Sequence, residues 1–336
     1  MIHFSKKLFI TLVLVFCVKS FSQNGNSPYE IGTWRGFRSA AVCFTFDDNC
    51  PNQLAVALPM FDKYDLKMTF YTVNAWAPKW EELQKAADNG HEIASHTCTH
   101  PNLGKLTEVQ QDSQLVYSLN DINANIKGHK CLTIAYPYCV TGDKSLSSKY
   151  YIAGRGCSGQ IEPGTPADIM NISSFVCGTM GSIKTAQDFA SEADSAAAAK
   201  GLIVYLIHGI DNDGGYSPVT HENLNGALEY IKLNKVKFWE STFANIVLYI
   251  KERDNSSIKE LSSSDNSVKC NLTGTLDNNI YNYPITIRRQ LPNNWASAAV
   301  SQNGKVLNSE TVQTGTSKYV MFDAVPNGGE ILIFKK

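Results

Sequence analysis

Two adjacent aspartates, Asp47 and Asp48, stand directly behind the strand-like run AVCFTF, and two histidines four residues apart, His96 and His100, lie in the segment SHTCTHP. Carboxylates side by side at the end of a buried strand repel each other and are costly to desolvate, so their presence there calls for a compensating positive charge. One carboxylate and two neutral imidazoles form a donor set for a divalent cation that leaves positions open for water and substrate. A cation on one of the aspartates together with His96 and His100 would neutralise that carboxylate and leave its neighbour ionised as a base. If SHTCTHP is a helical turn, the four-residue spacing brings both imidazoles onto one face. Singly, an Asp-Asp pair is an ordinary helix cap or solvated loop. Their joint position behind two strands is what points to a catalytic metal site.

These side chains need strands that end on a common rim. From about residue 38 to 252 strand candidates alternate with helical stretches: AAVCFTF (40–46), KMTFYTV (67–73), HEIASH (91–96), LTIAYPY (132–138), YYIAG (150–154), GLIVYLIH (201–208) and VKFWEST (236–242). Helical patterns cover 52–64, 79–89, 107–126, 185–200 and 221–234. The alternation predicts an α/β fold with a mostly parallel sheet, and seven strands suggest a closed or nearly closed barrel. In a parallel barrel functional groups collect at the C-terminal strand ends. Polar residues do follow those ends: Asp47 and Asp48 the first, His96 and His100 the third, Tyr138 the fourth, His208 and Asp211 the sixth.

The chain has 336 residues, a net charge of −1 and 18% charged residues, a balance that gives no grip on nucleic acid. Residues 1–22 read as a secretory signal peptide, with Lys6 and Lys7 ahead of an apolar stretch from Leu8 to Val18 that is too short to span about 30 Å of hydrocarbon. The expectation is an exported chain, periplasmic or secreted, with no membrane attachment after cleavage. Eight cysteines remain beyond the leader, an even number that permits disulfides in an oxidising compartment, with no spacing that fixes their pairing. The barrel is expected over 28–252, a polar Ser- and Asn-rich linker over 253–266, and a small β-sandwich-like domain over 267–336, where short strands are separated by Asn, Gly and Pro.

The motifs resemble those of the polysaccharide deacetylases of carbohydrate esterase family four, the NodB homology domain. TFDD (45–48) looks like that family's first motif, SHTCTHP (95–101) its second, AYPY (135–138) a variant of its third and LIHGID (206–211) its last. The resemblance implies a distorted (β/α) barrel and metal-dependent removal of acetyl groups from carbohydrate. Position by position it implies Asp47 as catalytic base and Asp48, His96 and His100 as ligands of a divalent metal, Zn2+ first, with cobalt or nickel as rivals in occupancy. It also implies the Tyr138 amide as oxyanion donor and His208 as the acid that protonates the leaving group.

The chain departs from the family pattern in two places. Ala135 stands where the third motif usually has an Arg, and Arg155, in GRG after the fifth strand, is a substitute from a neighbouring strand end. The fourth motif, whose Asp and Trp orient the catalytic His, is not recognisable between 171 and 182, and Asp211 either orients His208 or caps a loop. Trp76, Tyr136 and Tyr216 lie near the strand ends as possible sugar platforms, and Trp295, Tyr281 and Tyr283 as a possible aromatic patch on the C-terminal domain. The expected substrate is an acetylated oligo- or polysaccharide, with N-acetyl groups on amino sugars favoured. The alternatives are an O-acetyl esterase on plant polysaccharide such as acetylated xylan, and a carbohydrate-binding descendant without turnover. Nothing in the sequence speaks to the oligomeric state.

Overall fold

The structure, a computed structural model, describes residues 27–336, so the leader expected over 1–22 lies outside the described residues. Strand β1 (Tyr29–Ile31) precedes the barrel, whose strands are β2 (Ala40–Asp47), β3 (Met68–Thr72), β4 (Glu92–Ser95), β5 (Thr133–Ala135), β6 (Ala153–Arg155), β7 (Phe175–Val176), β8 (Leu202–Ile207) and β9 (Phe238–Glu240). Helices α1 (Leu58–Tyr64), α2 (Trp80–Asp88), α3 (Glu108–Asn125), α4 (Lys144–Tyr150), α5 (Ala186–Ala199), α6 (His221–Leu233) and α7 (Phe243–Asp254) fall between or after them. The sheet is parallel in the order β6-β5-β4-β3-β2-β8-β7, with β9 against the start of β2. The expected (β/α) barrel is therefore present.

Its distortion has a local cause. Between β6 and β8 the wall is an irregular segment, in which Gly154 N–H donates to the Ile169 carbonyl (3.1 Å), Ile172 N–H to that of Gly154 (2.9 Å) and Gly156 N–H to that of Ile172 (2.7 Å), before β7 pairs with β8. Two residues of regular strand are too few to show in a periodicity, so β7 is absent from the sequence reading.

Alternation along β2 divides the molecule's apolar groups. Val42, Phe44 and Phe46 face outward onto Phe61 of α1 and Phe189 of α5, while Ala41 and Cys43 face the interior with Tyr71, Ala94, Ala135 and Ala153. The interior ends at α7, whose Ala244 N–H donates to the buried Glu92 carboxyl (2.8 Å), a group also held by the hydroxyls of Thr69 and Thr133.

The C-terminal part is a two-sheet antiparallel sandwich of β10 (Ser256–Ser263), β11 (Ser267–Gly274), β12 (Ile285–Gln290), β13 (Ala298–Gln302), β14 (Lys305–Leu307), β15 (Ser309–Thr314), β16 (Ser317–Ala324) and β17 (Ile331–Lys335). One sheet runs β1-β12-β16-β15, the other β10-β11-β17-β13-β14. This corrects two expected boundaries. Residues 253–266 are no linker: α7 runs to Asp254 and β10 occupies most of the rest. β10 is a polar edge strand, SSIKELSS, held by main-chain pairing with β11 and half-buried on one face, so it carries little of the apolar signal that marks a strand. The barrel segment also does not begin at 28 as a unit, because β1 belongs to the sandwich, with Tyr29 opposite Arg289. Trp295 is buried in the sandwich core, its indole N–H donating to the Asp265 carbonyl (2.9 Å), and offers no exposed platform.

Candidate active site

The C-terminal rim of the barrel is where the expected groups meet. β2 ends on Asp47, and the next two residues, Asp48 (φ 76°) and Asn49 (φ 52°), turn the chain through left-handed conformations that Asp and Asn tolerate better than most side chains. Two amides fix this turn. Asn49 bonds the backbone of Val73 in both directions (2.8 and 3.1 Å), tying β2 to the end of β3. The buried Gln53 donates from Nε2 to the carbonyls of Asp47 and His208, the latter at 3.0 Å, tying β2 to the end of β8. Neither amide carries a sequence signal, because nothing in its spacing distinguishes it from a solvated loop residue.

His96 follows β4, its N–H donating to the Thr72 carbonyl (2.9 Å), and its Nδ1 lies 2.8 Å from the Ala135 carbonyl. That acceptor holds the proton on Nδ1 and frees Nε2 to bind a cation. The segment onward to His100 is not the expected helical turn. Thr97 (φ 65°) and His100 (φ 58°) are left-handed and the His100 N–H donates to Thr97 Oγ1 (3.1 Å), a loop geometry that still brings the two rings to 4.8 Å. Proximity here comes from the loop rather than from helical spacing.

Asp48 Oδ1 lies 3.5 Å from His96 Nε2 and 3.4 Å from His100 Nε2, and one ligand atom from each of the three residues falls within 4.8 Å of the others. Asp48 Oδ1 and Asp47 Oδ1 are buried with no hydrogen-bond partner. Orphaned carboxylate oxygens beside two free imidazole nitrogens are the chemistry a divalent cation satisfies, so these residues fit one. The electrostatics agree. Burial, then the Asp47 charge, pushes the Asp48 carboxyl up to about 7, a repulsion that a cation would relieve. Burial pulls His96 down to about 4 against the attraction of Asp47, and lowers His100 as well, keeping both imidazoles in the neutral, ligating form.

Asp47 is treated differently. Burial alone would raise its pKa, but Arg155, His96 and His208 outweigh it and hold the carboxyl below the usual range, hence ionised. Arg155, 1% exposed at the end of β6, pairs through Nη2 with Asp47 Oδ2 and lies over the Tyr71 ring at 5.2 Å. The neighbouring strand end thus supplies the guanidinium that Ala135 lacks.

His208, at the end of β8, has Nε2 3.9 Å from Asp48 Oδ2, while its buried Nδ1 has no partner. Asp211 does not orient it: that carboxylate accepts the backbone N–H of His221 (2.9 Å) and faces its Nδ1 (3.0 Å), capping the start of α6. Tyr138 sits in a short turn after Pro137, 65% exposed, with its ring edge-on to His100 at 4.8 Å. Trp76 (45% exposed) packs on His100 at 4.9 Å and Tyr216 (54% exposed) on His208 at 5.1 Å, so both flank the mouth. Tyr136 is buried against Gly154 and is a packing residue.

Comparison with known proteins bears out the resemblance read from the motifs. The family model for polysaccharide deacetylase matches residues 35–150. A gellan lyase from Bacillus sp is 25% identical over 333 residues, 93% of this chain and 13% of that protein. A peptidoglycan-N-acetylglucosamine deacetylase from Bacillus cereus is 30% identical over 104 residues, 30% of this chain and 38% of that protein. The chain thus spans well under half the length of these curated relatives. Among solved structures, a polysaccharide deacetylase-like protein from Mycobacterium smegmatis superposes with a TM-score of 0.51 at 16% identity, covering 67% of this chain and 94% of that one, a likeness of fold.

Proposed function

On the premise that the barrel is of the polysaccharide deacetylase kind over residues 35–150, we propose that the chain is an exported, divalent-metal-dependent hydrolase that removes acetyl groups from carbohydrate, N-acetyl groups on amino sugars above all. The observation that carries this reading is the convergence of Asp48, His96 and His100 beside a separately held, ionised Asp47. The match to a deacetylase of peptidoglycan N-acetylglucosamine supports an amino-sugar substrate, and the alignment of barrel and sandwich together with part of a gellan lyase supports a polymeric one. Export is supported by the leader pattern and by the Cys139–Cys157 disulfide, which suits an oxidising compartment. Among the described residues no helix is long and apolar enough to cross a membrane.

Asp48, His96 and His100 would hold a divalent cation, zinc in this reading, which would supply Lewis acidity at the site, enough to bring the pKa of water there towards about 7. The chain's own groups do the rest. Asp47 Oδ1, the oxygen not taken by Arg155, accepts the proton of the attacking water. Arg155 fixes the other oxygen and keeps the carboxyl ionised. The Tyr138 N–H donates to the developing oxyanion, since Pro137 has none to give. His208 Nε2 hands a proton to the departing amine or alcohol. Trp76 and Tyr216, exposed on either side, offer ring faces to a sugar chain.

One observation favours a second reading, an O-acetyl esterase. His208 Nδ1 has no acceptor behind it, so nothing braces the charged imidazole that an amine leaving group demands most, whereas an alkoxide departs with less help. Acetate release from chitooligosaccharide against acetylated xylan separates the two. For either substrate Asp47→Asn should retain the metal and lose turnover by about 100-fold or more, in the range typical of removing a general base. Undiminished acetate release by that variant excludes Asp47 from the chemistry. Bound metal with no turnover on any acetylated glycan leaves the carbohydrate-binding descendant.

A further inference from the structure

The ends of β5 and β6 are joined covalently. Cys139 and Cys157 form a disulfide, 18 residues apart in sequence with Cα atoms separated by 5.7 Å, and among the described residues Cys43, Cys50, Cys98, Cys131, Cys177 and Cys270 are free. Cys139 directly follows Tyr138, and Cys157 stands two residues beyond Arg155. The bridge therefore joins the turn of Tyr138, whose amide the proposed mechanism assigns to the oxyanion, to the loop that follows Arg155, the residue paired with Asp47.

Little else fastens the Tyr138 side of this link. Tyr138 (φ 56°) and Cys139 (φ 59°) are consecutive left-handed non-glycine residues, a conformation that persists only where the surroundings impose it. Two bonds close that turn, Cys139 N–H to the Tyr136 carbonyl (3.0 Å) and Val140 N–H to that of Pro137 (3.1 Å), and the Tyr138 side chain lies largely in solvent. Arg155, on the other side, is held by the pairing of β6 with β5, by Asp47 and by the Tyr71 ring, and is flanked by Gly154 and Gly156. Both glycines are required by close packing: a Cβ on Gly154 would meet the Tyr136 ring at 2.4 Å, and one on Gly156 would meet Asn171 Oδ1 at 2.1 Å.

We propose that the Cys139–Cys157 disulfide is a positioning element of the active site, holding the Tyr138 amide and the Arg155–Asp47 pair in one mutual geometry, so that the oxidised chain is the competent form. This rests on the deacetylase reading of the site. Opening the bridge with a water-soluble phosphine breaks the S–S bond: the phosphine gives two electrons and becomes its oxide with oxygen from water, and both sulfurs become thiols.

The test compares the metal-loaded wild type with the double variant Cys139→Ala/Cys157→Ala, at a temperature where circular dichroism shows both folded. The readouts are kcat and KM for acetate release, metal content, and amide hydrogen exchange. In the variant kcat is expected to fall about 10-fold or more with KM within about twofold and metal content unchanged, the loss expected when groups that act in the transition state drift. Exchange should quicken in peptides covering 136–143 and 153–158 and nowhere else. Unchanged kcat and exchange, or faster exchange spread over the whole chain, would overturn the proposal by reducing the bridge to a general stabiliser. If the double variant does not fold, phosphine reduction of the folded wild type gives the same comparison. A wild type that hydrolyses no acetylated glycan defeats the deacetylase reading, whereas the exchange data still decide whether the bridge holds the two loops.

Discussion

Asp47 and Asp48 are neighbours with opposite electrostatic fates, because Arg155 and the imidazoles surround one while burial and repulsion act on the other. The assignment of the base therefore hangs on a guanidinium that reaches it from β6. Replacing Arg155 by Ala leaves a buried carboxylate without its partner, a change that costs about 3–5 kcal/mol where the charge persists and otherwise drives the group to take up a proton. The sign for catalysis follows. Arg155 lowers the Asp47 pKa, so its removal raises it, and the acidic limb of a kcat/KM–pH profile should move to higher pH in Arg155→Ala. Measured profiles with coincident acidic limbs would show that Asp47 ionises without help from Arg155.

At the scale of elements, β2, β3 and β8 were legible because each is a buried run of apolar residues behind which polar groups appear at once. The rim chemistry was legible for the same reason. What escaped were features with no periodicity: the two-residue β7, the polar edge strand β10, the amide clamps of Asn49 and Gln53, and the pairing of Cys139 with Cys157. The His96–His100 segment escaped in a different way, since two histidines four residues apart can meet through a left-handed loop as well as through a helix. Close packing between β5 and β6 gives a prediction on this scale. Gly154→Ala places a methyl group against the tip of the Tyr136 ring and should destabilise by about 1–3 kcal/mol, read as a lower urea midpoint, with turnover reduced because Arg155 is the next residue. Tyr136→Leu in the same chain, which vacates that tip, should recover part of both losses. Absence of any recovery would mean the methyl group acts elsewhere.

For the whole molecule, barrel and sandwich are interleaved rather than strung in series: β1 precedes the barrel yet pairs within the sandwich, and one apolar cluster runs from the barrel interior through α7 into the sandwich strands. Glu252 lies on α7 in that junction, buried, with Oε1 unpartnered, and burial pushes its carboxyl up to about 7 from its ordinary 4.5, with the nearby Tyr283 backbone pulling the other way. A carboxyl whose folded-state pKa is raised binds its proton more tightly in the folded chain than in the unfolded one. Its contribution to stability is therefore full below pH 4.5 and is lost as pH rises to about 7. Glu252→Gln keeps the shape and removes the titration. Its unfolding free energy should match the wild type near pH 4 and exceed it near pH 8 by about 1–2 kcal/mol, an allowance below the full linkage value because the wild-type chain can relax around the charged carboxylate. Because the cluster is shared, the gain should appear in a single transition seen alike by probes of barrel and sandwich. Two separate transitions, with only one shifted, would show that the sandwich folds independently of the barrel that carries the site.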